Sequence, residues 1–385
     1  MPIYHRLGNV PHKRHTAFRQ ADGRLYAEEL IGNKGFVGPS SLIYHLHQPT
    51  HVKSERRVGD LNWEAEPERR FRHRHFRTHQ LSPGGSIVAD RVPLLYNHDV
   101  AMLLVQPEHE DDFFYRNAQG DEIVFISDGA GTLETPLGEL SFERGDYLVI
   151  PRGIMHRYRF TSRPVRCLVI ESTGYVRTPK RYRNEHGQLM ESSPYSERDI
   201  RQPEKLVTRD ERGDFKLLVK KENRLHEVVL AFHPFDVVGW DGYYYPWAFN
   251  IRDFEPRVGR VHLPPPTHQT FEGDNFVVCS FCPRPYDFDP EAVPVPYNHS
   301  NVMSDEVIYY ASSEFMSRKG IEYGSITLHP DGIPHGPHPG RTEASIGAKG
   351  TDELAVMLDT FHPLHVSRHA LGIEDGDYYR SWLEE

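Results

Sequence analysis

The stretch GDYLVIPRGIMH at residues 145–156 recurs as GSITLHPDGIPH at residues 324–335, and this repeat decides the fold. Both copies contain a glycine, five residues, a proline, one residue, a second glycine, two residues and a histidine. Chance does not readily place four residues at identical spacing twice, so the chain carries an internal repeat. Each copy predicts a strand, a tight Pro-x-Gly turn and a second extended segment that presents the histidine.

Each copy also has an upstream partner that ends in a glutamate. The two partners are Tyr115-x-Asn117-(four residues)-Glu122 and His299-x-Asn301-(four residues)-Glu306. The paired segments are similar to the two motifs of the cupin superfamily, G-x5-H-x-H-x3,4-E-x6-G and G-x5-P-x-G-x2-H. The resemblance implies a small double-stranded β-helix, or jelly roll, that is present twice.

The rest of the chain favours the same mainly-β fold class. Short runs rich in Val, Ile and aromatic residues alternate with Gly, Pro, Asn and Asp, as in VRCLVIEST, NFVVCSF and ELAVMLDTF. Such density of strand and turn signals is typical of sandwiches and barrels. We expect residues 1–250 to hold a degenerate cupin and residues 251–385 to hold a cupin that binds a metal ion.

The second half supplies a complete set of metal ligands. Side chains two apart on a strand face the same side, so we expect His299 and Asn301 to point together and Glu306 to converge on them. His335 would reach the same interior from a separate strand. Two imidazoles and one carboxylate form the triad of non-haem Fe(II) oxygenases. Asp305 adjoins Glu306 and is an alternative ligand, but the spacing of the repeat favours Glu306.

The first half lacks that set. Tyr115 occupies the position of the leading histidine, which leaves only Glu122 and His156. We therefore expect the first cupin to be free of metal and structural.

Within the cupins, the sequence resembles the homogentisate 1,2-dioxygenase family. The segments that carry the resemblance are LYAEEL, FFYRNAQGDEIVF, HPFDVVGWDGYYYP, YNHSNVMSDE, TLHPDGIPHGP and YYRSW. They span nearly the full chain, and HPFDVVGW and PHGP are the most specific. The chain departs from the family in being shorter than its eukaryotic members and in reading HSNVMSDE where the family has H-R-N-x-M-S-E-F.

The resemblance implies an Fe(II)- and O2-dependent opening of the homogentisate ring to maleylacetoacetate, a step of tyrosine and phenylalanine catabolism. It makes His299, Glu306 and His335 the iron ligands and places His329 in the substrate pocket. A catalytic histidine that accepts a substrate proton is either His268 or His262, and we favour His268 because it abuts the next predicted strand. The family also implies a homo-oligomer, a trimer or a hexamer.

Composition restricts the location and the partners. The 385-residue chain has 38% hydrophobic and 26% charged residues, three cysteines and a formal net charge of −10. No apolar run reaches the ~20 residues of a membrane span, few cysteines favour a reducing compartment, and the net charge repels nucleic acid. We expect a cytoplasmic enzyme. The basic segment ERRFRHRHFRTH at residues 68–79 is interpreted as a solvated, partly ion-paired edge.

Three alternatives stay open at this point. The first is a ring-cleaving dioxygenase of another dihydroxyaromatic acid, such as gentisate. The second is a cupin isomerase or hydrolase that uses manganese or zinc. The third is a non-catalytic two-cupin storage or binding protein, which would have no reason to keep a ligand triad in only one half.

Overall fold

The structure is a computed structural model that describes residues 3–313 and 315–383. The strands up to residue 150 are β1 (His5–Gly8), β2 (Ala27–Gly32), β3 (Ser40–His45), β4 (Val52–Asp60), β5 (Arg74–Arg77), β6 (Val92–Tyr96), β7 (Val100–Val105), β8 (Phe114–Asn117), β9 (Asp121–Thr135), β10 (Gly138–Phe142) and β11 (Asp146–Ile150). The later strands are β12 (Arg157–Ser172), β13 (Ile200–Arg201), β14 (Arg212–Lys221), β15 (Arg224–Phe232), β16 (Val237–Gly242), β17 (Trp247–Asn250), β18 (Gln269–Gly273), β19 (Phe276–Phe281), β20 (Arg284–Pro285), β21 (Asp305–Tyr310), β22 (Ser325–His329), β23 (Gly350–Thr351), β24 (Ala355–Thr360) and β25 (His365–Val366).

Helices are short. The α-helices are α1 (Arg341–Ser345) and α2 (Arg368–Leu371), and 3-10 turns lie at Thr78–Gln80, Lys180–Tyr182, Glu197–Asp199, Ile251–Asp253, Pro265–His268 and Tyr378–Arg380. The three consecutive prolines at residues 264–266 lead into the 3-10 turn Pro265–His268, since proline is well placed in a first helical turn. Among the described residues, no helix is long and apolar enough to cross a membrane.

The sheets confirm the predicted mainly-β fold with two cupin jelly rolls. The largest sheet of the first half runs β13-β17-β11-β9-β12-β7-β6-β25, with β10 paired to β9. The second half is built on a sheet in the order β18-β19-β24-β21-β22-β5. Smaller sheets, β1-β16-β3-β2 and β4-β15-β14-β8, extend the first half.

The two copies of the repeat fold alike. β11 and β22 each follow a glycine with positive φ, Gly145 at 93° and Gly324 at 80°. The turn glycines Gly153 and Gly332 have φ of 84° and 81°. Other residues rarely adopt this region, which explains why the repeat keeps glycine at both positions.

The halves exchange strands across residue 250. β5 pairs with β22 in the second sheet, and β25 pairs with β6 in the first. A single hydrophobic core runs through both halves and includes Phe125 and Leu358. The division into residues 1–250 and 251–385 stays a prediction about the chain's organisation. The main sheet of each half includes one strand from the other half.

The basic segment at residues 68–79 is ion-paired and ends a sheet, as expected, but it is solvated only in part. It contains β5, in which Arg74 is 1% exposed. Arg74 donates from Nη2 to Glu66 at 3.0 Å and to Glu374 at 2.7 Å. The arginine is tolerated in the interior because carboxylates from two other segments neutralise it.

We expect Arg74→Met to lower the free energy of unfolding by about 3–5 kcal/mol, because two carboxylates would remain buried without their cation. Urea denaturation measures the change. The matched control is Arg56→Met, which removes an exposed ion pair with Glu227 and should cost about 1 kcal/mol or less. Equal losses in the two variants would show that burial does not decide the strength of the Arg74 cluster.

Candidate metal centre and its cavity

Two histidines and one glutamate of the second half converge on one point. His299 and His335 exchange both backbone hydrogen bonds, at N···O distances of 2.8 and 2.9 Å. Residues directly opposed in this way carry their side chains on the same face. Nε2 of His335 lies 3.3 Å and Nε2 of His299 lies 3.7 Å from Oε2 of Glu306. One ligand atom from each residue lies within 4.8 Å of the others.

The donor atoms suit a divalent transition metal. Nδ1 of His299 donates to the carbonyl of Tyr297 at 3.0 Å, which leaves its Nε2 with a free lone pair. Both ring nitrogens of His335 are buried without a hydrogen-bond partner. A buried nitrogen without a hydrogen-bond partner destabilises the folded protein unless it binds a ligand. Two imidazoles and a carboxylate are therefore arranged to bind a metal ion.

The structure brings Glu306, and not Asp305, to the two histidines. Asp305 accepts hydrogen bonds from the backbone N–H groups of Asp331 at 2.9 Å and Leu364 at 2.7 Å. Adjacent residues on a strand point to opposite faces, so only one of the two carboxylates reaches the centre.

The expectation that His299 and Asn301 share one face of a strand is wrong. His299 forms an isolated bridge with His335, and Asn301 is exposed in an irregular segment. The first half keeps the expected geometry, because Tyr115 and Asn117 lie together on β8. In the second half, the bridge to His335 and the hydrogen bond from Nδ1 to the carbonyl of Tyr297 orient His299.

His329 lies behind the centre rather than among the residues that line the adjacent cavity. It is fully buried, and its Nδ1 lies 2.8 Å from Oε1 of Glu306. The register of β21 and β22 places Glu306 and His329 directly opposite each other. This contact fixes the orientation of the carboxylate.

Sequence reasoning missed Arg318. Its guanidinium is buried, donates to the carbonyl of Gly336 at 2.8 Å and lies 3.9 Å from Oε1 of Glu306. No motif or spacing marks this arginine, since its contacts come from loops that are distant in sequence. It places a positive charge beside the candidate ligand.

Burial opposes ionisation of Glu306, but its contacts with the three histidines outweigh burial. The pKa of Glu306 is consequently held well below its usual range. Burial and the nearby Arg318 lower the pKa of His329. Glu306 is therefore ionised, and His329 is neutral, at physiological pH.

A cavity opens beside the centre. His299 and Glu306 form one end of it, and both candidate bases, His262 and His268, line its wall. Apolar side chains such as Ile308 and Phe315 line it, together with the arginines Arg257, Arg284 and Arg318 and the carboxylates Asp287 and Glu353. The cavity offers apolar contact to an aromatic ring, and its three arginines are balanced by the three carboxylates of Asp287, Glu306 and Glu353.

His268 is the more enclosed of the two candidate bases. It is buried at the end of the 3-10 turn, its ring packs 4.7 Å from that of Phe281, and its Nδ1 has no hydrogen-bond partner. Burial lowers the pKa of His268 to about 3. His262 also has a buried nitrogen without a partner, Nε2, and burial lowers its pKa as well.

The equivalent position in the first half holds an arginine. Tyr115 and His156 form the same double backbone bridge, with both N···O distances at 2.9 Å. Arg91 makes a bidentate ion pair with Glu122, at 2.7 and 2.9 Å. Its guanidinium neutralises the carboxylate from within the chain, which supports the expected metal-free, structural role of this half.

A second His-Asp-His cluster lies at the surface. Nδ1 of His362 is 2.6 Å from Oδ2 of Asp99, and Nε2 of His98 is 3.3 Å from Oδ1 of the same residue. Both histidines are exposed, and the cavity beside His299 does not include them. The buried cluster is the stronger candidate for a catalytic centre.

Comparison with known proteins finds dioxygenases among the sequence relatives. A family model described as homogentisate 1,2-dioxygenase N-terminal matches residues 86–251. A protein of Saccharolobus solfataricus named "Putative dioxygenase" is 42% identical over 390 residues, which cover 99% of both chains. Homogentisate 1,2-dioxygenase of Bradyrhizobium diazoefficiens is 28% identical over 297 residues, or 72% of this chain and 64% of that protein. A cupin 2 conserved barrel domain protein of Leptotrichia buccalis aligns over 74% of this chain and 93% of its own, with 10% identity and a TM-score of 0.32.

The fold and the sequence relatives define a cupin-type dioxygenase. More particularly, residues 86–251 match the homogentisate 1,2-dioxygenase family model, and a homogentisate 1,2-dioxygenase aligns with 72% of the chain.

We expect Arg91→Met to destabilise the protein by about 3–5 kcal/mol at pH 7, because Glu122 would stay buried without its cation. Burial alone would raise the pKa of Glu122, but Arg91 lowers it to about 2. The stabilisation is therefore present above the ordinary glutamate pKa of 4.5 and is lost as pH falls towards 2.

Urea denaturation of the wild type and of Arg91→Met between pH 7 and pH 3 tests this. The difference between the two should shrink in acid, and Arg91→Met/Glu122→Gln should recover part of the loss at pH 7. A difference that is constant with pH would contradict the ion pair's contribution.

Proposed function

We propose that the protein is an Fe(II)- and O2-dependent dioxygenase that opens the ring of homogentisate to give maleylacetoacetate. The observation that carries the proposal is the convergence of His299, Glu306 and His335 at one end of a cavity with apolar walls and basic side chains. Family membership supports the dioxygenase class, and the ligand set supports iron.

The three ligands would hold the iron on one face and leave its cavity side open. When bound, Fe(II) would supply coordination sites for substrate and O2 and the electron transfer that their direct reaction lacks. His329 and Arg318 hold the carboxylate of Glu306 in its ligating orientation through Oε1, so that Oε2 faces the two imidazoles. Such outer contacts keep a ligand in place between turnovers.

The cavity supplies the substrate's binding energy and orientation. Phe281, Ile308 and Phe315 offer apolar contact to an aromatic ring. Arg257 lies exposed at the cavity, and the charge of Arg318 is close to the centre, so a carboxylate-bearing substrate is attracted. Arg284 is less available, since it is paired with Glu353 at 2.8 Å.

His268 would accept the proton of a substrate hydroxyl. A neutral imidazole with an unpartnered nitrogen in the cavity wall can take up a proton as the ring becomes electron-rich. His262 lines the same cavity and is the second candidate for this role.

The assembly is expected from the family resemblance, and the location is expected from the composition of the chain. A homo-oligomer, trimer or hexamer, and a cytoplasmic location stay predictions, as do the absence of nucleic-acid partners and of a membrane association.

We expect the protein reconstituted anaerobically with Fe(II) to consume one O2 per homogentisate and to form maleylacetoacetate. His335→Ala and Glu306→Ala should lose bound iron and oxygen uptake while keeping the wild-type circular dichroism spectrum. An oxygen electrode, product absorbance and metal analysis measure these effects.

The matched control is His362→Ala, which alters the exposed His-Asp-His cluster and should keep both iron and activity. Gentisate belongs in the same assay, because stoichiometric O2 uptake with gentisate alone would reassign the substrate. Full activity of Glu306→Ala would refute the centre itself.

We expect His268→Gln to retain iron but to lower kcat by about 10²-fold or more, the contribution that is usual for a general base. His262→Gln should have a much smaller effect. Since the pKa of His268 is lowered to about 3, the pH profile of kcat/KM should show no limb from this residue between pH 5 and 8. Normal turnover of iron-loaded His268→Gln would transfer the role to His262.

A further inference from the structure

Arg116 is a buried cation without a direct partner. It lies on β8, where Tyr115 and Asn117 point into the first jelly roll and Arg116 points to the opposite side. Its Nε is buried and makes no hydrogen bond, and its guanidinium forms no ion pair among residues 3–313 and 315–383. Other buried arginines of the chain, such as Arg74 and Arg91, are paired with carboxylates.

The side chain lines a second cavity, which shares no lining residue with the cavity beside the candidate metal centre. The walls come from β8, the hairpin β14–β15, the end of β3 and the segment HPFD at residues 233–236. Much of the wall is apolar, including Leu217, Val219, Val228 and Leu230.

The acidic groups of this cavity are already engaged. His45 donates to Asp236 at 2.7 Å and to Glu29 at 3.1 Å, so its imidazolium lies between the two carboxylates. Burial opposes protonation of His45, but these two hydrogen bonds outweigh it and raise its pKa to about 9. Asp236 also accepts the backbone N–H of His47 at 2.9 Å. Glu29 and Asp236 are thus hydrogen-bonded to His45, and Glu29 interacts with Arg116 only through longer-range attraction, so the guanidinium keeps its hydrogen-bonding capacity for a ligand.

His233 supplies a second donor. Its Nδ1 accepts the backbone N–H of Phe235 at 3.1 Å, so the proton of the neutral ring resides on Nε2. Burial lowers the pKa of His233 to about 4, which keeps the ring neutral. His47 and His51 also line the cavity, and Nε2 of His47 is engaged by Asp210 at 2.7 Å.

We propose that this cavity is a second ligand site, which binds a small organic carboxylate through the guanidinium of Arg116 and the Nε2–H of His233. A carboxylate matches the fork of a guanidinium and removes the cost of an unpaired buried cation. The apolar strands opposite Arg116 accommodate the ligand's hydrocarbon body. An inorganic anion would leave those walls uncovered.

Calorimetric titration of the iron-loaded, full-length protein tests the site, with benzoate as the probe. Inorganic phosphate has a negative charge but no apolar group, so it tests the contribution of charge. Benzyl alcohol has the aromatic ring but no charge, so it tests the contribution of apolar contact. We expect benzoate to bind at a site that Arg116→Met weakens by about tenfold or more, the usual effect of losing a charge-assisted contact. Phosphate and benzyl alcohol should bind at least tenfold more weakly than benzoate. Arg198→Met, which removes an exposed arginine elsewhere, is the matched control and should bind benzoate as the wild type does.

Thermal denaturation distinguishes ligand binding by Arg116 from a purely structural role of this residue in the fold. Without benzoate, Arg116→Met should have the midpoint of the wild type or a higher one, because an unpaired cation has been removed. Benzoate should raise the midpoint of the wild type and not that of Arg116→Met. Oxygen uptake with homogentisate should be unchanged in the variant.

Three results would overturn the proposal: benzoate binding that is independent of Arg116, phosphate binding as tight as benzoate, or a lower midpoint of Arg116→Met without ligand. Val219→Phe provides an independent variant. Val219 pairs with Arg116 in the β8–β14 register and lines the cavity, so a larger side chain there should block benzoate while Arg116 is intact. Unchanged benzoate binding by Val219→Phe would likewise place the ligand elsewhere.

Discussion

The site depends on a pair of backbone hydrogen bonds between His299 and His335. These two residues come from segments outside the regular strands, and the bridge sets their imidazoles side by side, with ring centroids 4.2 Å apart. β21 then brings Glu306 to the same point from within the sheet, where β22 and β24 flank it. The strands are buried, so the carboxylate is fixed, and His299 is positioned by the bridge and by its hydrogen bond to the carbonyl of Tyr297. A rigid face of three ligands beside an open cavity is what a metal-dependent oxygenase requires.

The first half contains the same bridge, but a few different side chains around it give a structural core instead of a candidate metal centre. Tyr115 replaces the leading histidine, and Arg91 supplies from within the chain the positive charge that a metal ion would bring. The carboxylate of Glu122 is satisfied and fully buried, whereas Glu306 lies at the end of a cavity. Both halves thus contain the same backbone bridge. The residue that faces the glutamate determines whether the site is a buried ion pair or a candidate metal centre.

The local parts of this architecture were predictable from the sequence, and the non-local parts were not. The spacing of the repeat predicts β11 and β22, the glycines with positive φ and the choice of Glu306 over Asp305, because these are properties of a strand and its turns. The sequence does not reveal that β5 crosses to the second sheet, and the composition of residues 68–79 suggested a surface instead. Arg318, Arg91 and Arg116 acquire their surroundings from distant segments, so no spacing marks them. Asn301 was misplaced because His299 was assumed to lie on a regular strand.

X-ray diffraction from crystals of the Fe(II)-loaded protein, with anomalous differences collected at the iron edge, tests the central claim most directly. The account predicts one iron peak per chain, within ~2.2 Å of Nε2 of His299, Nε2 of His335 and a carboxylate oxygen of Glu306. A peak bounded by His98, Asp99 and His362 instead, or iron held by a fourth protein side chain that closes the cavity face, would contradict it.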